Sequence, residues 1–337
     1  MKNIVKELIR GLIVGCLLPG VLLMIVAAAA KSSDGAAQTV PSQLQKPQPS
    51  ATAPTASVPA VDPPLTIRVS LDETVAEMEL ETYVLRVVLG EVPADFEMEA
   101  LKAQAVVART YALKQMDGKR HGGAVCLKSS CCQAYRTEDD YLQQGGTQEN
   151  LSRVRDAVTQ TAGQILIYGG ELIYATYFSC SGGVTEDALA VWGYDVPYLQ
   201  SVKSPGEEET AAYYREKVFT PTEFRKALEA QLKGKPESWF GKVTYTEGGG
   251  VESMNIGGVR YKGTTLRTLL GLRSTMFTVS VEMGNIVVRM KGYGHRVGLS
   301  QYGADAMAMT GSSYAEILSH YYTGAELTQF PLTQGEN

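Results

Sequence analysis

The order of apolar and polar positions divides the chain into three stretches. Gly11 to Ala30 (GLIVGCLLPGVLLMIVAAAA) is twenty consecutive residues without a charge, about 30 Å as a helix, which matches the hydrocarbon core of a bilayer. Residues 31–64 show no periodicity; they hold seven of the fourteen prolines, many Ala, Ser and Gln, and no aromatic side chain. From Thr66 the pattern becomes regular. TIRVS alternates and predicts a short strand, and ELETYVLRVVLGEV places Tyr83, Val84, Val87 and Val88 on one side of a helix that Gly90 and Pro93 then break. A second helix is expected over roughly 96–115, where Met98, Leu101, Ala105, Ala108, Ala112 and Met116 follow the spacing of a buried stripe. Further on, the pattern predicts a helix over 149–161 and a strand pair in QILIYGGELIYATYF turning at Gly169 and Gly170. A helix start follows at Thr220-Pro221-Thr222-Glu223. TMFTVSVEMGNIVVRM reads as a hairpin around Met283-Gly284-Asn285, and two helices are expected over 303–310 and 314–321. Strands and helices in this irregular order predict an α+β body rather than a repeating βαβ array.

Charge assigns the stretches to compartments. Lys2, Lys6 and Arg10 precede the apolar run and only Lys31 follows closely, so the positive-inside rule keeps residues 1–10 in the cytoplasm, makes 11–30 a transmembrane anchor and exports the rest. The run ends in AAAAKSSDG, so a cleaved signal peptide is the rival reading; the body is extracytoplasmic in both. Residues 31–64 cannot bury enough apolar surface to offset their ordering entropy and are expected to be a flexible stalk, extending at about 3 Å per residue where polyproline-like. The expected organisation is thus cytoplasmic 1–10, anchor 11–30, stalk 31–64 and an extracytoplasmic body 65–337 with a cleft. The chain has 31 Lys and Arg against 36 Asp and Glu, a net charge of −5. That excludes a polycation holding nucleic acid by bulk charge.

Three clusters in the body can carry chemistry. Glu91, in Leu89-Gly90-Glu91-Val92-Pro93, sits at a helix break, where a partly apolar junction raises a carboxyl pKa and suits a general acid. Lys102 and Arg109 lie seven apart on the next helix, on one face and about 10 Å apart along its axis. The second cluster is His121, Cys126, Cys131 and Cys132, whose thiol and imidazole donors suit zinc. A disulfide such as Cys126 to Cys132 is the alternative in an exported chain. The third comprises two glycine-rich segments, SCSGGVTE with Cys180 and Ser181, and GYGHRVGLSQYGA with His295 and Gln301. Their glycines permit close backbone approach, and their polar groups offer sugar-style hydrogen bonds. A Ser or Cys nucleophile finds no Asp in a position to complete a triad.

Together LETYVLRVVLGEVP, ALKAQAVVARTYAL, SGGVTEDALAVWGYDVPYLQSV and GYGHRVGLSQYGA resemble the stage II sporulation protein D family. The resemblance spans residues 80–304, and the anchor and stalk agree with it. It implies a lytic transglycosylase that cuts peptide-free peptidoglycan strands during endospore engulfment. The implied partners are the stage II proteins P, an amidase, and M, a membrane protein, on the mother-cell engulfing membrane; a homodimer is compatible with the resemblance. Carried onto this chain, Glu91 takes the catalytic acid position. Lys102 and Arg109 match the basic residues beside it and are assigned to substrate binding, with Ser181, His295 and Gln301. Zinc is implied at His121, Cys126 and Cys132, with Cys132 preferred over Cys131 because Gln133 and Tyr135 follow it. Arg296 stands where the family usually has Gly, which bears on the local backbone of that loop. A non-catalytic wall-binding scaffold and a zinc-dependent hydrolase are the alternatives. Lytic cleavage needs one carboxyl, whereas hydrolysis needs a partner about 5–9.5 Å away, with Asp95, Glu97 and Glu99 as the candidates by sequence.

Overall fold

The computed structural model describes residues 64–330 apart from Asp72, Glu73 and Lys119. The expected anchor and stalk lie outside the described residues, and among the described residues no helix is long and apolar enough to cross a membrane.

In chain order the elements are β1 (Thr66–Leu71), β2 (Thr74–Glu79), α1 (Leu80–Glu91), α2 (Met98–Met116), β3 (Val125–Cys126), α3 (Glu138–Gln143), α4 (Gln148–Gln160), β4 (Gln164–Tyr168), β5 (Glu171–Leu172), β6 (Tyr177–Phe178) and α5 (Ala188–Trp192). There follow β7 (Tyr214–Phe219), α6 (Pro221–Leu228), β8 (Phe240–Tyr245), β9 (Val251–Ile256), β10 (Val259–Lys262), α7 (Gly263–Leu269), β11 (Phe277–Glu282) and β12 (Asn285–Lys291). The chain closes with β13 (Leu299–Ser300), α8 (Gln301–Met309), α9 (Tyr314–Tyr321) and β14 (Glu326–Gln329). This is the mixed α+β body that the periodicities predict.

Two apolar cores organise these elements. The larger gathers Ile67, Tyr83, Leu101, Val154, Ile165, Val297, Ile317 and Tyr321 from both ends of the described chain. The smaller is built from Phe219, Phe224, Trp239, Met254, Leu266, Phe277 and Ile286, so the elements from β7 to β12 form an inserted subdomain. Its sheets run β10-β9-β8 and β11-β12-β7, all antiparallel. The hairpin expected at Met283 is β11–β12, and both Met283 (φ 49°) and Gly284 (φ 78°) adopt the left-handed conformations a tight hairpin turn requires. The capping box at Thr220 is present, with Glu223 reaching back to the Thr220 amide at 2.8 Å.

α2 departs from the amphipathic reading. Twelve of its nineteen residues are buried, including Gln104, Arg109 and Thr110, because α1, α4, α8, α9, β1 and β4 all pack around it. It has no broad solvated face on which Lys102 and Arg109 could both present themselves. The strand pair expected after residue 164 is also only half right. β4 pairs with β5 across the Gly169-Gly170 turn but takes β14 as its longer partner, while β6 leaves to pair in parallel with β13. That departure brings Tyr177 beside the start of α8.

Candidate active site and metal cluster

A cleft of about 700 Å³ is lined by Glu91, Cys131, Cys132, Ala134, Tyr177, Arg267, Tyr293, His295 and Gln301, among others. Glu91 is the last residue of α1, which ends as Val92 turns extended ahead of Pro93. Buried Val84, Val87 and Val88 hold the helix in the larger core. Gly90 is required by a close approach: a Cβ there would lie 2.7 Å from the Tyr135 backbone N and 2.8 Å from the Ala134 carbonyl carbon. That approach lets the Ala134 N–H donate to Glu91 Oε1 at 2.5 Å. Gly90→Ala is therefore expected to push the 134–135 backbone away, weakening the Ala134 bond to Glu91 and lowering the melting temperature by several degrees. Thermal melting checks this; an unchanged variant would remove the role assigned to Gly90.

The Tyr177 hydroxyl also donates to Glu91 Oε1, at 2.9 Å. Tyr177 is held by Gln133, whose Nε2 donates to the Tyr177 oxygen at 3.0 Å, while the Tyr83 hydroxyl donates to Gln133 Oε1 at 3.0 Å. Burial pushes the Glu91 pKa up, opposed by the bonds from Ala134 and Tyr177 and by the Gln301 amide. Gln301 Nε2 is buried and has no partner at full hydrogen-bond geometry, so its pull on Glu91 is the weaker one. With both donors on Oε1, the second oxygen is the one placed to carry a proton. Burial pushes Tyr177 well above the ordinary tyrosine range, so it serves as a neutral donor.

His295 and Gln301 line this cleft as expected. Burial, followed by the neighbouring Arg267 charge, lowers the His295 pKa to about 4, so the ring is neutral at neutral pH. His295 Nδ1 accepts from the Val297 N–H at 3.1 Å, and the ring packs against Phe178 and Trp192.

Lys102, Arg109 and Ser181 are not brought to the cleft. Arg109 has no exposed surface; its guanidinium donates to both Glu81 carboxyl oxygens at 2.6 and 2.7 Å and to the Gln164 carbonyl at 3.0 Å. It ties α1 and β4 to α2 and cannot touch a ligand. Lys102 pairs with Glu99 at 2.7 Å and lies over the Tyr314 ring. Ser181 is fully buried, and both its N–H and its hydroxyl donate to Glu207 Oε2. The same oxygen receives the Cys180 thiol, while Ser204 and Ser300 donate to Glu207 Oε1. Burial and the Glu207 charge push the Cys180 thiol up to about 12, which leaves it inert. Ser181 and Cys180 thus belong to a buried hub that holds the start of α8, and neither is a nucleophile.

His121, Cys126, Cys131 and Cys132 do come together: one ligand atom from each lies within 4.8 Å of the others. His121 Nε2 and Cys131 Sγ are 3.2 Å apart. The four cysteines of the described residues are free thiols. Cys126 is delivered by β3, paired to β1, and Cys131 and Cys132 by a turn in which both N–H groups donate to the Lys128 carbonyl. His121 adopts a left-handed conformation (φ 50°) to reach them. Tetrahedral zinc with bonds of about 2.0–2.3 Å spaces its ligands by roughly 3.3–3.8 Å, so these four donors need only a small contraction to hold one ion. Cys131, which competes with Cys132 by sequence, joins it as a fourth donor.

The loop around Arg296 answers the question its residue type poses. Arg296 takes the left-handed φ of 68° that suits glycine. Its fully buried side chain pays for that strain by donating to Glu186 Oε1 at 3.1 Å and to the carbonyls of Ser181, Val184 and Gly248.

Comparison with known proteins agrees with this layout. A family model described as stage II sporulation protein matches residues 71–168. The chain is 36% identical over 265 residues to stage II sporulation protein D of Bacillus amyloliquefaciens, covering 77% of this chain and 76% of that one. The protein of that name from Bacillus subtilis (strain 168) is 36% identical over 265 residues, with 77% of each chain covered. An amidase enhancer of Bacillus subtilis (strain 168) is 30% identical over 292 residues, 68% of this chain and 38% of that protein.

Proposed function

Because this chain belongs to the stage II sporulation protein D family, we propose that it remodels the sporulation cell wall as a lytic transglycosylase, with Glu91 as its acid and then its base. The observation that carries this reading is that Glu91 is the only carboxylate among the described residues lining the cleft. A retaining or inverting hydrolase needs a second carboxylate. Of the sequence candidates, Glu99 is occupied by Lys102 and by the Tyr314 N–H, and neither Asp95 nor Glu97 lines the cleft. In the lytic reaction the Glu91 proton passes to the bridging oxygen as the bond from muramic acid C1 to that oxygen breaks. The C6 hydroxyl of the same sugar then bonds to C1 and returns its proton to Glu91. The product carries a 1,6-anhydro ring, and no water is consumed.

The substrate is taken to be glycan from which an amidase has removed stem peptides. The likeness to a protein named amidase enhancer supports that link, with stage II protein P as the amidase and protein M as the membrane partner. The body would act outside the cytoplasm, tethered by residues 11–30. Residues 65–337, wild type and Glu91→Gln, incubated with peptide-free and peptide-bearing strands test the proposal. Soluble products are expected from wild type on peptide-free strands alone; equal release by Glu91→Gln would refute it.

The pH profile offers a second test. Activity should fall as pH rises through the raised Glu91 pKa, because the acid loses its proton. Tyr177→Phe removes a bond that favours the ionised carboxyl, so its alkaline limb should move to higher pH. A limb moving lower would contradict the arrangement.

His121, Cys126, Cys131 and Cys132 are proposed to hold one structural zinc, which would crosslink β3 to the turn bordering the cleft. Four protein ligands close the coordination shell, which disfavours a zinc hydrolase with an open position. Elemental analysis should find one zinc per chain, and chelation should lower the melting temperature by several degrees. A chain that binds no zinc would refute this assignment.

A further inference from the structure

Arg267 carries the inference, which rests on the glycan-cleaving reading and concerns how the cleft recognises its substrate. It lies on α7 of the inserted subdomain, next to Leu266, which is buried in the smaller core. Leu266 anchors the helix inward, and Arg267 reaches the Glu91 cleft from the opposite side of the molecule's two-core division. It is the only Lys or Arg among the described residues lining the cleft. His295 beside it is neutral at neutral pH, and Lys102 and Arg109 lie elsewhere.

The guanidinium is also unspent. Among the described residues the Arg267 side chain makes no hydrogen bond or ion pair, and its Nε is buried without a partner. Buried donors in native proteins are as a rule paired, and a guanidinium fork matches the two oxygens of a carboxylate. Burial lowers the Arg267 pKa, with only the Tyr293 hydroxyl acting against it, as expected of a cation that lacks a counter-charge. Tyr293 is 45% exposed and lines the same cleft; Arg273 lies over one face of its ring at 4.9 Å, which leaves the other face for a sugar.

We propose that Arg267 is the carboxylate-binding residue of the cleft, receiving the free lactyl carboxylate that muramic acid exposes once its stem peptide is gone. A peptide-bearing muramic acid presents an amide at that position, which is neutral and bulkier. The inserted subdomain thereby selects peptide-free strands by charge, and Arg267 does the work that the sequence assigns to Lys102 and Arg109.

The test is equilibrium binding, made on a Glu91→Gln background so that no strand is cut. The probes are glycan oligosaccharides with the lactyl group as free carboxylate, as N-methylamide and as alcohol. The carboxylate form should bind roughly ten- to a hundredfold tighter than the other two. Adding Arg267→Gln should abolish that preference by weakening the carboxylate form alone, and Arg267→Lys should restore part of it. Unchanged binding of the amide and alcohol probes shows that the variant is folded. A preference that survives Arg267→Gln overturns the assignment. Failure of the lytic reading would show separately, as an absence of anhydro ends with the carboxylate preference intact.

Discussion

Replacing Glu91 by Gln is expected to lower cleavage of peptide-free glycan by roughly 10²–10⁴-fold, the usual range for a single positioned acid, while leaving strand binding in place. The Gln carbonyl can still accept from the Ala134 N–H and the Tyr177 hydroxyl, so the local backbone is kept. What disappears is the ability to give a proton to the leaving oxygen and take one from the attacking hydroxyl. Stability should move the other way. The folded pKa of Glu91 is above its ordinary value, so its carboxyl favours folding most when protonated, and that contribution is lost as pH rises through the folded pKa. Above the raised Glu91 pKa the uncharged Gln avoids the cost of a buried charge, and there the variant should melt no lower than wild type. Steady-state turnover, strand pull-down and thermal melting on one preparation check all three parts; lost binding or a sharp drop in melting temperature would mean that Glu91 is structural.

The largest stability effect is expected at Arg296. Its side chain and that of Glu186 are both essentially unexposed and paired at 3.1 Å. Arg296 further donates to two carbonyls of the 181–184 loop and to that of Gly248, so Arg296→Met leaves three carbonyls without this donor and Glu186 Oε1 with only Thr246 and the Gly250 N–H. Removing one partner of such a pair costs about 3–5 kcal/mol, whereas replacing both by apolar groups costs less. The double variant Arg296→Met with Glu186→Leu should accordingly recover part of the loss. The deficit should also depend on pH. Burial raises the Glu186 pKa while the Arg296 charge pulls it back down, so without Arg296 the carboxyl protonates more readily. The single variant's deficit should therefore be full above the raised pKa and shrink as pH falls below it. Urea unfolding of the three proteins across that range measures this; a deficit under 1 kcal/mol would mean that the pair is dispensable.

How far the sequence reaches depends on whether a feature is local. The pattern predicts a helix over 314–321, and α9 occupies Tyr314–Tyr321, where Ser313 and Glu316 close a capping box. α1 and the β11–β12 hairpin follow equally from local periodicity and turn residues. β7 does not alternate, since YREKVF buries only its last residue, and its role as partner of β12 is set by a pairing some seventy residues away. The site divides in the same manner. Glu91 is readable from the helix break around it, and the His-Cys cluster from its compact spacing. Tyr177 and Ala134 reach Glu91 across 86 and 43 residues, and no periodicity encodes that meeting. Lys102 and Arg109 misled because helical spacing predicts a shared face but not whether that face meets solvent. α2 is wrapped by neighbours, and among the described residues the cation lining the cleft, Arg267, comes from the inserted subdomain.

The most direct test of the lytic reading is to cut peptide-free strands with wild-type protein in ¹⁸O-labelled water and follow the muramic ends by mass spectrometry. Attack by the sugar's own C6 hydroxyl consumes no water, so the ends should be 1,6-anhydromuramic acid without label. Reducing ends carrying ¹⁸O at the anomeric carbon would show that water is the nucleophile and would contradict the single-carboxyl mechanism built on Glu91.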